Sequence, residues 1–416
     1  MQHVVPGRKR ALFCLFFVTG LSMASWVTRT PAVRDGLGAT HGEMGIVLFG
    51  LALGSFLGIL SAPPLLRRLT IRRVIAAAWT LQPLGLGLFA LGGALASAPC
   101  LFLALFVFGL GIGSGDVAIN VAGAEIERLQ RRPFLSALHG FFSLGMALGS
   151  ALGIGVAALE VSPLAHLAAV LAAAVPLIRL SVAGLPRAPE AGIAREAGET
   201  GPRVPLGELV RDLRLLLIGV MVLAMALAEG AAYDWLPLLM VDGHGFSAPQ
   251  TALAFSAFTA AMAVSRFAGN GLIRRFGRVA VMRGSAGAAG LGLALVIFAD
   301  LPLLAGAAAL LWGLGAALGF PLTLSAAGDA ERGASERVGF VTSAGYLAFL
   351  VGPPLIGFLG DAWGLRGALL VVLAGVLLAL LLAPALSPRR PARRRWPRGA
   401  ARSPAAAAER SARDPG

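Results

Sequence analysis

Apolar blocks of about twenty residues, nearly free of charge, follow one another along almost the whole of this chain. Crossing the ~30 Å hydrocarbon core of a bilayer takes ~20 helical residues, so each block is long enough to span a membrane. The blocks are apolar throughout, without the 3.6- or 2-residue stripe of an element that faces water on one side. Inside hydrocarbon every backbone N–H and C=O needs an internal partner, which leaves helices and closed barrels. Barrel strands run ~10 residues, so these blocks are helices. Composition agrees: 57% of residues are hydrophobic and 13% charged, where a soluble domain carries about a quarter charged.

The expected spans are 11–28, 44–66, 74–96, 98–121, 135–159 and 163–178, then 215–240, 248–264, 279–299, 301–327, 338–359 and 368–386. They give an all-α, polytopic membrane protein of twelve helices. The implied units are a six-helix bundle at 1–185, a cytoplasmic linker at 186–214 with one surface helical turn, a second bundle at 215–387, and a basic, disordered cytoplasmic tail at 388–416. Arg8, Lys9 and Arg10 before the first block resemble a signal-peptide start. Eleven further spans behind it make an uncleaved first helix the expectation. With the N-terminus inside, 32 of the 35 Lys and Arg fall on the cytoplasmic side, and only Arg29, Arg34 and Arg366 fall outside. The positive-inside rule therefore puts both termini in the cytoplasm of a bacterial inner membrane.

The net charge of +14 does not indicate nucleic acid, because the arginines sit in short runs between spans and in the tail, with no groove to line. The tail's Arg389, Arg390, Arg393, Arg394 and Arg395 are placed to meet anionic lipid headgroups. Cys14 and Cys100 lie in spans and read as small apolar residues without a disulfide. The sequence has neither a phosphate-cradling Gly-Lys-Ser/Thr loop nor Cys/His metal spacing, so no enzyme, cofactor or metal is expected.

The chain repeats itself. Gly109, Gly111 and Gly115 in the fourth span recur as Gly313, Gly315 and Gly319 in the tenth, each 204 residues on. The loop after span two, with Arg67, Arg68, Arg72 and Arg73, is answered after span eight by Arg274, Arg275, Gly277 and Arg278. Parallel repeats of this kind are a transporter plan. At these residues the chain resembles the major facilitator superfamily, whose loop pattern is Gly-x-x-x-Asp-Arg-x-Gly-Arg-Arg. Both copies here lack the Asp, and Arg274 stands at its place in the second. Asp116-Val-Ala-Ile-Asn120, followed by His139-Gly-Phe-Phe-Ser143-Leu-Gly145, is similar to a bacterial branch of poorly characterised permeases distantly related to fucose–proton symporters. In those symporters an acid-x-Ala-x-Asn pattern in the fourth helix is implicated in proton coupling.

Of 21 Asp and Glu, only Asp116, Glu229 and Asp234 fall well inside the expected spans. A charge near the bilayer centre costs ~2.5–3.5 kcal/mol or more, so it is kept for a partner or a pathway. Asp116 and Asn120 share a helix face and offer a titratable acid and an amide to one polar ligand; the bland reading is a hydrogen bond to a neighbouring helix. Span one carries no acid, and Glu229, with Tyr233 one turn on, is placed to supply it from span seven. Asp234 lies ~140° round the helix from Glu229 and reads as an interfacial contact. Trp26 is read either as a ring-stacking residue or as part of an interfacial aromatic belt. Arg29 is read as a gate contact to Asp234 or as an attractor of anions. His139 is a pH-responsive or an interface residue, and Trp312 and Phe320 line the cavity or pack. Gly145, Gly149, Gly153, Gly352, Pro353, Pro354 and Gly357 permit close helix approach and bending.

The resemblance implies a monomeric permease, moving a small polar or sugar-like solute by alternating access with a proton gradient. The other readings are a drug or metabolite exporter and a non-transporting receptor or scaffold. The partners expected are the solute and membrane lipid.

Overall fold

The computed structural model describes residues 4–130, 134–186, 204–329 and 333–387. The expected tail (388–416) and most of the linker (187–203) lie outside these. Among the described residues all regular structure is helical. Span one is Val4–Val27, and a short linking helix, Thr30–Leu37, leads to span two, His41–Arg68. Span three is Ile71–Ala94, span four Ala98–Gln130, span five Leu135–Ala158 and span six Pro163–Ala183. A single helical turn, Leu206–Leu209, precedes span seven, Leu213–His244.

Two runs, Ala248–Phe298 and Ala334–Leu382, are continuous in hydrogen bonding but not in direction. A straight helix of 51 residues would reach ~75 Å, over twice the ~30 Å hydrocarbon thickness. Each run breaks at one glycine, Gly277 (φ 77°) and Gly364 (φ 72°), in a conformation that a Cβ disfavours. Spans eight and nine are therefore 248–276 and 278–298, and spans eleven and twelve are 334–363 and 365–382. Span ten, Pro302–Ala316 continued by Gly319–Ala327, lies between the runs. Among the described residues the total is twelve spans.

One boundary is corrected with consequence. Span eight does not stop at 264 but runs to 276 and takes Arg266 into the helix. Arg266 is thus not a loop charge. Phe267, Ala268, Leu272 and Ile273 carry the apolar character past it.

The repeated glycines set the packing. A Cβ on Gly109 would meet the backbone of Leu51 in span two, and one on Gly313 the backbone of Phe258 in span eight. Spans four and ten thus occupy matching places in the two halves. Gly145, Gly149 and Gly153 bring span five against Phe17 and Leu21 of span one and Thr28 just past its end. The halves meet along two seams, span five on span eight and span two on span eleven. In the second seam Gly45 sits on the backbone of Pro353 and Pro354, Gly357 sits on His41, and Gly352 packs on Leu227 within its own half.

Candidate functional site

Midway along the five–eight seam, Arg266 joins three helices. Its Nη2 donates to Oε1 of Glu229 on span seven at 2.7 Å, and its Nη1 donates to Oγ of Ser143 on span five at 3.1 Å. Glu229 is buried, and a buried charge is tolerable only when paired and hydrogen-bonded. Ser143 lies in the N-terminal half, so the pair also ties the halves together. One turn after Glu229, the Tyr233 hydroxyl donates to Sδ of Met262 at 3.4 Å, and its ring stands edge-on to Phe258 at 5.9 Å. Further along the same seam, Ser150 and Thr259 share a 3.1 Å hydrogen bond.

A second cluster faces this one from the N-terminal half. Asn120 Nδ2 donates to the backbone carbonyl of Asp116 at 2.9 Å, and its Oδ1 lies 3.2 Å from Nε2 of His139. The edge-on ring of Phe16 holds the imidazole at 5.2 Å. Asp116 and Asn120 are half-buried and His139 is exposed at the surface of its helix. Among the described residues Asp116 forms no ion pair. On span eleven the ring of Tyr346 meets that of Phe320 at 6.3 Å. Ser143, which accepts from Arg266, donates in turn to the backbone carbonyl of His139 at 3.3 Å, so the two clusters are joined through span five.

One end of the two–eleven seam carries an ion-pair latch. Asp242, near the end of span seven, accepts from Arg34 Nη2 at 2.9 Å and lies 2.8 Å from His41 Nε2. The hydrogen bond from Arg34 to Asp242 holds that guanidinium above its ordinary pKa. Asp361 accepts from Thr40 Oγ1 at 3.0 Å and from the backbone N–H groups of His41 at 2.8 Å and Gly42 at 3.0 Å. An acid of one half thus caps the first turn of a helix in the other, where unpaired N–H groups and the helix dipole favour negative charge.

Several expected roles are corrected. Arg29 does not reach Asp234; its Nε donates to Nδ1 of His166 at 3.0 Å, within the N-terminal half. Trp26 is 1% exposed and packs on Phe89 at 5.5 Å, so it presents no face to a ligand or to the membrane interface. Trp312 is fully buried, with its indole N–H bonded to the Ala228 carbonyl at 3.1 Å, and it does not line a cavity. Asp234 is 8% exposed and has no hydrogen-bond or ion-pair partner among the described residues. In the loop repeats, Arg278 pairs with Asp329 through both oxygens at 2.6 and 2.9 Å, while Arg67, Arg68, Arg73, Arg274 and Arg275 are exposed.

Sequence reasoning missed Arg266 and the latch residues Arg34, His41, Asp242 and Asp361. For Arg266 the signal was present as a charge two residues past an expected span end, with apolar residues resuming after it.

A family model described as Major Facilitator Superfamily matches residues 11–334. An uncharacterised MFS-type transporter of Yersinia pestis is 30% identical over 382 residues, covering 90% of this chain and 96% of its own length. Among solved structures, the nucleoside transporter NupG superimposes with a TM-score of 0.70 at 16% identity, over 91% of this chain and 98% of that one. The E. coli fucose:proton symporter FucP does so with 0.62 at 17%, with the same coverage.

Proposed function

The chain belongs to the Major Facilitator Superfamily, and from that premise we propose that it moves a small polar solute, sugar- or nucleoside-like, by proton-coupled alternating access. It is a transporter rather than an enzyme, and a multi-pass membrane protein. The observation that carries the finer reading is the polar zone at mid-seam. There a half-buried acid without an ion partner among the described residues (Asp116), an amide and an imidazole (Asn120, His139), and an ion pair of a buried acid with a half-buried arginine (Glu229, Arg266) lie close to the seam between two bundles. Hydroxylated rings take hydrogen bonds from such groups, and an acid that loses or gains a proton with solvent access can couple that gain to binding. The named specificities of the structural neighbours, a nucleoside and fucose with a proton, are of this chemical class. The charge distribution supports placement in a bacterial inner membrane with the arginine-rich loops in the cytoplasm.

The test is external pH in de-energised cells, or internal pH in proteoliposomes, as a panel of sugars, nucleosides and other small polar solutes is added. Wild type is expected to move protons with at least one solute. Asp116→Asn, at matched expression, is expected to lose that movement. Equal movement in both would remove Asp116 from coupling, and solute entry without proton movement in wild type would refute proton coupling itself.

A further inference from the structure

Arg29 takes no part in the clusters or the latch. It follows span one, at the junction where that helix packs with spans three and six, and it is 6% exposed. Its Nε donates to Nδ1 of His166 on span six, and its Nη2 is buried without a partner among the described residues. Because Nδ1 accepts, the imidazole is neutral and brings no charge to the contact. The other buried arginines among the described residues, Arg8 and Arg337, each reach a carboxylate, of Glu125 and Asp212. Arg29 pairs with no described acid. Glu160, in the loop that leads into span six, is exposed and makes no ion pair among the described residues. Asp35, Asp242 and Asp361 bond elsewhere. One turn before Arg29, Trp26 gives its ring face to Phe89 of span three, while the indole N–H at the ring edge is buried and also without a partner among the described residues. The linking helix begins at Thr30, so its first N–H groups and the positive end of its dipole stand beside the same residue.

We propose that this junction binds a small monovalent inorganic anion of the halide class, with chloride as its ordinary occupant. Arginine and tryptophan side chains only donate hydrogen bonds, so the two groups left over call for an acceptor. A buried guanidinium also carries a desolvation cost that only an opposite charge offsets. One anion between Nη2 and the indole N–H answers both needs. Burial of both donors selects a compact ion that sheds its water readily over a phosphate or a bulky carboxylate. A water molecule accepts from the same donors without balancing the charge, and the experiment separates the two. The site lies away from the polar zone of Asp116 and Glu229, so its occupant is not the transported solute.

Crystals of the wild-type chain soaked in sodium bromide are expected to show an anomalous peak within hydrogen-bonding reach of Arg29 Nη2. In a detergent with uncharged headgroups, at fixed ionic strength, replacing gluconate by chloride is expected to lengthen the half-life of the folded protein along a saturating curve. The gain is about tenfold at ten times the Kd, when the ion leaves before the unfolding barrier. The micelle carries no phosphate, so a chloride response there does not come from lipid headgroups. Trp26→Phe keeps a ring and deletes the N–H, and should raise the Kd several-fold. Arg29→Gln should abolish the saturating response. A response that survives Arg29→Gln would overturn the proposal. So would density at Arg29 without an anomalous signal, which identifies water, or no bromide there at all. The diffraction result needs no variant, so it stands even where Arg29→Gln fails to fold.

Discussion

Arg266 and Glu229 form a buried pair whose two members depend on each other unequally. The Glu229 side chain is 10% exposed and the Arg266 side chain 25%. Removing one partner of a buried pair costs about 3–5 kcal/mol, chiefly because the other charge stays behind uncompensated. Arg266→Met strands the more deeply buried carboxylate and belongs near 5 kcal/mol. Glu229→Gln leaves a guanidinium that still holds Ser143 and has more access to solvent, so it belongs near 3 kcal/mol on the same scale. Glu229→Gln with Arg266→Met removes both charges, and replacing such a pair by uncharged groups of similar volume is often close to neutral. The readout is the half-life of folded, detergent-solubilised protein at one elevated temperature, because a protein of this size unfolds irreversibly. A 3 kcal/mol loss felt in the unfolding barrier shortens that half-life on the order of 100-fold. The double variant is expected to outlast both single ones. If it decays as fast as the two single losses combined, the charges are not coupled and the pairing argument fails.

Asp361→Asn weakens the cap on span two and Asp242→Asn removes the ion pair to Arg34; each is expected to lengthen the spin-label distance between Ala32 and Ala248, measured by pulsed dipolar spectroscopy. Unchanged distances would show that the latch does not hold that end shut. Gly313→Ala forces a methyl onto the Phe258 backbone and should cost about 1–3 kcal/mol, seen as reduced thermal stability, whereas Gly284→Ala, with nothing within 4 Å, should cost nothing measurable. Equal losses at the two positions would refute the packing role of the repeated glycines.

The spans were legible because hydrocarbon imposes one rule on every residue in it: a block free of charge has to be about twenty long. The glycine repeat was legible for a related reason, since backbone contact between helices demands the same small residue in both halves. Arg266 was not, because a charge at a span edge reads as a loop when its partner, Glu229, is 37 residues away. Trp26 and Trp312 were misread because an apolar span gives no sign of which face meets core, lipid or cavity. The latch was invisible for the opposite reason. Its members are polar residues at helix ends, ordinary one by one, and only the fold brings Arg34 to Asp242 and Thr40 to Asp361 across the seam.

The distribution of charge along the seam explains why the described form closes at the end it does. Between described residues, the cross-half ion pairs all lie at the latch end, made by Asp242 and Asp361. At the other end both loop repeats lack the acid of the family pattern. Arg67, Arg68, Arg73, Arg274 and Arg275 stand exposed there, and Arg278 is already engaged by Asp329 of its own half. Among the described residues no acid of one half bridges to these arginines of the other, and like charges repel within the ~8–10 Å over which charge acts at physiological salt. That repulsion opposes closure at the end that the proposed orientation turns to the cytoplasm. Closing there requires the latch to break and the mid-seam Arg266–Ser143 contact to re-form or give way, so bound solute has to supply interaction that the loops lack. A ligand shifts such an equilibrium only by its differential affinity for the two forms. On the proposed alternating-access reading, the eroded motif leaves the loops without a cross-half bridge and makes the polar zone around Asp116, Asn120, Glu229 and Arg266 the place to test for control of alternation.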